Sequence, residues 1–231
     1  CQDAGIPVPR GLGPTERFDE LVARMDELGV FRVFVKLAHG SSASGVVAFH
    51  RRGGRMEAIT SAEMDVGPGG EMRLYNSLKM RRYTRPEEIG PLIDWLAGHR
   101  VHVEQWLPKA SLARRVFDVR VLMIDGQPQH RVVRTSRGPL TNLHLGNRRG
   151  DTGALIAQLA PDQHQAAEDT CRRVAQLFPR SLQLGLDLLF TPGFRCHFVL
   201  EANAFGDLLP RIIHDGQDAY NAQITALMAR R

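Results

Sequence analysis

Cysteine is scarce in this chain: only Cys1, Cys171 and Cys196 carry a thiol, and no two of them are spaced C-x-x-C. A structural zinc site or redox dithiol therefore has no ligand set. A sparse, odd count fits a reducing compartment, and we expect a cytoplasmic protein. No apolar run approaches the roughly 18 residues of a membrane helix and no basic-then-apolar leader opens the sequence, so no membrane partner is expected. Aromatic residues make up 6% of the chain and form no aromatic-rich strand surface, which argues against nucleic acid as a partner. Neither G-x-x-x-x-G-K-[ST] nor G-x-G-x-x-G occurs, which excludes the P-loop and dinucleotide fingerprints. Internal repeats and low-complexity tracts are missing too. The first residue is Cys rather than Met, and we expect the numbered chain to be a piece of a longer protein.

What is present is ordinary globular material. The 231 residues are 43% apolar and 24% charged, with both signs mixed, enough to bury one large core or two small ones. The formal net charge of +5 and pI near 9.6 favour an anionic partner without choosing among nucleotides, acidic peptides and nucleic acid. Arginine supplies most of the positive charge, which suits forked recognition of phosphate or carboxylate.

Patterning and turn signals predict an α+β chain. Residues 1–14, rich in Gly and Pro, read as an extended N-terminal segment. Thr15 is the expected cap of a helix reaching about residue 28, with Gly29 as its stop. Strands are expected at 30–36, 46–50, 56–61, 72–77 and 101–107, the last stopped by Pro108, with a helix from Pro86 to about residue 99. A division is expected near residue 108. Beyond it come strands at 117–124 and 129–135 around Asp125-Gly126, an Arg/Gly/Asn-rich loop over 136–153, and a helix over 161–178. A hairpin and a last helix over 218–229 complete the chain.

That hairpin is the most informative stretch. Asp187 lies in Gly-Leu-Asp-Leu-Leu-Phe, and Glu201-Ala202-Asn203 ends the second strand after the Thr191-Pro192-Gly193 turn. A fold near residues 193 and 194 brings Asp187 roughly opposite Glu201, and Asn203 shares their face. Three oxygen ligands then converge, a set suited to Mg²⁺. The alternative is a half-buried hairpin with a polar end. A second feature is Lys36 at the end of an apolar strand, followed by Gly40-Ser41-Ser42-Ala43-Ser44-Gly45. Small residues let backbone N–H groups fold over a phosphate. A lysine at about 4 Å and an effective dielectric of about 20 adds roughly 4 kcal/mol before desolvation. Taken alone, the loop reads first as a flexible surface connection.

The order of these features resembles the ATP-grasp superfamily, and most closely its glutamate-ligase branch typified by RimK. The resemblance runs from Ala4-Gly5-Ile6-Pro7-Val8-Pro9 to the last helix. Its motifs are Lys36, the glycine loop, Glu104, Asp118-Val119-Arg120, Thr141-Asn142-Leu143-His144 and Asp187 with Glu201-x-Asn203. Residues 203–210 look like those of a subgroup of uncharacterised bacterial members. The resemblance implies two α+β lobes with ATP between them: residues 15–107 with the lid and hinge strand, and residues 108–231 with the metal site. A domain preceding the ATP-grasp body, and its phosphate-binding lysine, are absent from these residues.

The same resemblance assigns the residues. Lys36, Gly40, Ser41, Ser42 and Gly45 would hold the phosphates. Glu104, Gln105, Trp106 and Leu107 would form the hinge at adenine, with core packing the alternative for Trp106. Asp118 would hold the ribose. Asp187, Glu201 and Asn203 would bind two Mg²⁺ ions, with Mn²⁺ as a substitute. Arg134 would point at the transferred phosphate and Asn142 would lie near metal and phosphate. Arg120 is either part of the site or a structural partner of an acid near the hinge. Arg137, Arg148 and Arg149 are candidate readers of an acidic substrate or a solvated basic loop, and His144 is a substrate contact or an ordinary loop residue. The implied reaction joins a carboxylate and an amine, small molecule or peptide, through an acyl phosphate. A non-catalytic nucleotide-binding module is the alternative, and a homodimer is compatible with the resemblance. The family's Arg-Ser-Asn triplet is Leu140-Thr141-Asn142 here, with Arg137 a candidate replacement for the charge.

Overall fold

The computed structural model describes residues 1–40, 43–204 and 209–230, so the expectations for Ser41 and Ser42 lie outside the described residues. Two compact units form. One is Pro9–Leu107 with Asn142–Asn147, and the other is Cys1–Val8 with Pro108–Thr141 and Arg148–Arg231.

The first unit contains α1 (Phe18–Glu27), β1 (Arg32–Leu37), β2 (Val47–Arg52), β3 (Arg55–Val66), β4 (Met72–Tyr83), α2 (Pro86–Ala97) and β5 (Val101–Gln105). Its sheet is antiparallel in the order β4-β3-β2-β1-β5. Strand alternation sends Val33, Val35, Phe49 and Val103 into one core, where Leu21 and Met25 of α1 and Ile89, Leu92, Ile93 and Leu96 of α2 meet them. The opposite face carries Phe34, Lys36, His102 and Glu104. Thr15 does not cap α1. The helix starts at Phe18, whose N–H donates to Asp94 Oδ1 of α2 at 2.6 Å, so a tertiary contact takes the place of a local cap. Strands β3 and β4 run longer than patterning predicts, with Met64 and Tyr83 of the added lengths still packed on the core.

The second unit contains β6 (Ser111–Leu112), β7 (Arg115–Ile124), β8 (Gln127–Ser136), β9 (Arg148–Arg149), α3 (Thr152–Ile156), α4 (Pro161–Gln176), β10 (Gln183–Phe190), β11 (His197–Asn203) and α5 (Ala219–Ala229). The antiparallel order is β11-β10-β7-β8-β9, with β6 beside β7. Asp125 and Gly126 both take positive φ, 51° and 74°, as a tight primed turn between β7 and β8 requires. The expected structureless loop over 136–153 instead holds a 3₁₀ turn (Leu143–Leu145), β9 and the start of α3. Each is too short to leave a periodic signal. One sheet face packs Phe117, Val119, Val121, Val133, Leu186, Leu188 and Val199 against Ala167, Cys171 and Val174 of α4. The other face carries the charges described below. Among the described residues no helix is long and apolar enough to cross a membrane, which says nothing of a strand-built crossing.

Candidate functional site

β10 is buried along almost its whole length, yet Asp187 stands in its middle at 5% exposure. A lone carboxylate there would be costly, so it must be paired. Its cross-strand neighbour on β7 is Arg120 and its neighbour on β11 is Glu201. Arg120 forks onto it: Nε–H donates to Oδ1, and Nη2 donates to Oδ2 at 3.0 Å. Arg134 of β8 adds Nη2 to Oδ2 at 2.8 Å and places its Nε 2.7 Å from Asp118 Oδ1. Asp118, two residues from Arg120 on the same face, is 2% exposed and takes two more donors. Thr141 Oγ1–H donates to its Oδ2, and Lys109 Nζ lies 3.3 Å from that oxygen and 2.8 Å from Thr141 Oγ1.

Three cations and two carboxylates thus share one buried network, and Glu201, exposed at the end of the row, supplies a third acid. Burial by itself would raise the Asp118 carboxyl, but the charges of Lys109 and Arg134 with the Arg134 and Thr141 hydrogen bonds hold it at about 2. Burial pushes the Lys109 ammonium down, with Asp118 pulling it partly back. Burial also opposes charge on Arg120 and Arg134, yet their carboxylate partners raise both above the usual range.

Glu201 lies opposite Asp187 and Asn203 opposite Gly185, so the three expected oxygen ligands share a face. A bulge makes this alignment: the register shifts between Asp187 and Leu188, leaving Leu200 without a direct partner. Two carboxylates and an amide are a hard-oxygen set that fits Mg²⁺ with waters or phosphate completing the shell. Among the described residues no three His, Cys, Asp or Glu side chains gather as a metal group.

The remaining expected residues lie in the first unit, except Arg137, Arg148 and Arg149. Lys36 Nζ is 2.5 Å from Glu104 Oε1, and His102 Nε2 is 3.4 Å from Oε2 of the same carboxylate. Burial would raise Glu104, but the His102 contact and the Lys36 charge keep it low. The N–H groups of Gln105 and Trp106 donate to Arg10 and Arg32 carbonyls at 2.8 and 3.0 Å. A purine read by this strand's backbone must use other groups. Trp106 packs on Phe34 with ring centroids 5.4 Å apart and under the Arg32 guanidinium; Leu107 is half-buried. Gly40 is exposed, whereas Gly45 is buried at φ 63°. The Asn142 Oδ1 accepts from His144 N–H at 3.1 Å and caps the 3₁₀ turn. His144, Arg137, Arg148 and Arg149 are exposed, and Arg149 Nη1 donates to the Pro210 carbonyl. Arg120 pairs with Asp187, not with an acid near the hinge.

Sequence reasoning passed over Lys109 and left Thr141 without a role. A lysine after a proline carries no local signal for burial. Arg134 was legible only through the resemblance. Counting pairs back from the turn at 125 and 126 sets Asp118 opposite Val133, and a register shift between Val121 and Met123 brings Arg134 there instead.

No family model and no curated protein matches the chain. Solved structures do. The ATP-grasp ligase PsnB complexed with minimal precursor, Mg and ADP superposes with a TM-score of 0.53 at 17% identity, over 100% of this chain and 56% of that one. D-cycloserine synthetase DcsG gives 0.58 at 15% identity, over 99% of this chain and 67% of that one. The D-alanine–D-alanine ligase of Bacillus anthracis, complexed with ATP, gives 0.53 at 14% identity, over 99% and 62%. The fold is therefore the α+β fold of ATP-grasp ligases, and the chain spans 56% of the length of PsnB.

Proposed function

We propose that this chain is the nucleotide- and metal-binding body of an ATP-dependent carboxylate–amine ligase of the RimK-like branch. The observation that supports this most is the row Arg120–Asp187–Glu201 across three strands, with Asn203 two residues on, in a chain with the fold of ATP-grasp ligases. In this reading Asp187, Glu201 and Asn203 hold Mg²⁺, which when bound neutralises phosphate charge during transfer.

The chain's own residues do the rest. Lys36 would exchange its Glu104 partner for a phosphate oxygen, and the loop around Gly40, Ser41, Ser42 and Gly45 would cover the phosphates and keep water from a hydrolysable acyl phosphate. Gln105, Trp106 and Leu107 would flank adenine. Arg134, held on one side by Asp118 and on the other by Asp187, is pre-oriented to offer its remaining N–H groups to the moving phosphoryl group. We read Asp118 as the anchor of Arg134 and Lys109, and Asn142 as a donor to phosphate. The carboxylate oxygen attacks the γ-phosphorus and the bond to ADP breaks. The amine nitrogen then attacks the acyl carbon, the C–O bond to phosphate breaks, and the amine proton passes to solvent. PsnB is seen with a precursor and DcsG is a D-cycloserine synthetase, so we place the acid and amine among peptides or small molecules.

The test is ADP release from Mg·ATP by the full-length protein against panels of acids and amines. One acid–amine pair should stimulate release, and Glu201→Gln should lower it at least about 100-fold, as loss of a charge-stabilising group at a phosphoryl site does. ATP binding with no stimulation by any pair would instead favour a non-catalytic module.

A further inference from the structure

The guanidinium of Arg120 lies where a metal ion would sit. It forks onto both oxygens of Asp187, with side-chain exposures of 13% and 7%. It also crosses the glycine beside that acid: a Cβ on Gly185 would be 3.5 Å from Arg120 Nη1 and 3.6 Å from its Cδ. Gly185 is the register partner of Asn203, and Asp187 is that of Glu201. The planar cation therefore lies over Gly185 and Asp187, the register partners of Asn203 and Glu201. Glu201 adds to the field that keeps Arg120 charged.

We infer that Arg120 is the resident cation of this site and that a divalent ion binds by displacing it, so that Arg120 sets the metal affinity and is released toward an anionic ligand once metal is bound. The inference rests on the metal reading above. A divalent ion brought to an oxygen that already carries the guanidinium meets a like charge at contact distance, so the two cations oppose each other there. Two cations competing for one carboxylate are negatively coupled, and the coupling is reciprocal. The exchange also explains how a buried acid stays neutralised in protein without metal.

The experiment is Mn²⁺ binding followed by electron paramagnetic resonance, with the ion alone and no nucleotide. The proteins are the parent, Arg120→Gln, Arg120→Lys, Glu201→Gln and the Arg120→Gln/Glu201→Gln double variant. We expect Arg120→Gln to bind Mn²⁺ about tenfold more tightly than the parent and Arg120→Lys to fall between them, as is usual for site coupling. The double variant should lose the gain. Equal or weaker binding by Arg120→Gln, with binding still lost on Glu201→Gln, would overturn the exchange and leave the metal site standing. Binding by neither parent nor Arg120→Gln, or binding indifferent to Glu201→Gln, would overturn the metal reading itself. Should Arg120→Gln fail to fold, the parent decides through the Arg120 Nε–H resonance during a Mg²⁺ titration. It should move toward the position of a solvated arginine, and a stationary resonance at metal saturation would sink the proposal.

Discussion

Replacing Arg134 by Gln removes a side chain that bridges the two buried carboxylates of the network, with Nε 2.7 Å from Asp118 and Nη2 2.8 Å from Asp187. Breaking a buried pair typically costs about 3–5 kcal/mol, because the acid left behind is desolvated and unpaired. Here neither acid is abandoned: Asp118 keeps Lys109 and Thr141, and Asp187 keeps Arg120. The expected loss therefore sits at the lower end, about 3 kcal/mol. At about 2.1 cal/mol/K per residue, 231 residues give a melting shift on the order of 6 °C. Urea denaturation followed by circular dichroism measures it, with Arg134→Lys as the comparison. Lysine keeps the charge but cannot fork to both acids, so about half the loss should remain. A change below about 1 kcal/mol, within the range of exposed pairs, would refute the claim that this guanidinium holds the network together.

Acid should act on the same cluster. The folded pKa of Asp118, about 2, lies below the ordinary 3.8, so its contribution is complete above the ordinary value and is lost as pH falls through about 2. A shift of that size is worth on the order of 2.5 kcal/mol, and urea midpoints between pH 6 and pH 2 should fall further for the parent than for Asp118→Asn; parallel curves would contradict it. Gly45→Ala would place a Cβ 2.5 Å from Leu37 Cδ1 at φ 63°, and we expect a loss of about 1–3 kcal/mol by thermal denaturation. A neutral result would mean that the loop relaxes freely at that position.

The fold class was readable because short apolar runs such as β1, β7 and β10 are bounded by Gly, Pro or Asp-Gly turn signals. The shared face of Asp187, Glu201 and Asn203 was readable for a more fragile reason. A hairpin folding at residues 193 and 194 without irregularity would pair Asp187 with Leu200, and only the bulge at Leu200 sets Glu201 opposite. The register shift between Val121 and Met123 works the other way, hiding the Asp118–Arg134 pair from any count made from the turn. Thr15 illustrates a tertiary override: its side chain has cap chemistry, but Asp94, far along the chain, reaches the helix start first. Lys109 illustrates the limit of local reading, since its burial follows from acids and hydroxyls brought in by other strands.

The most direct test of the central claim is calorimetric titration of the protein with ATP, with and without Mg²⁺, for the parent and for Glu201→Gln. A metal site beside the nucleotide predicts that Mg²⁺ tightens ATP binding at least about tenfold in the parent, some 1.4 kcal/mol, and that Glu201→Gln removes this gain while leaving metal-free binding in place. Equal affinity for ATP with and without Mg²⁺, or a gain that survives Glu201→Gln, would contradict the assignment of Asp187, Glu201 and Asn203.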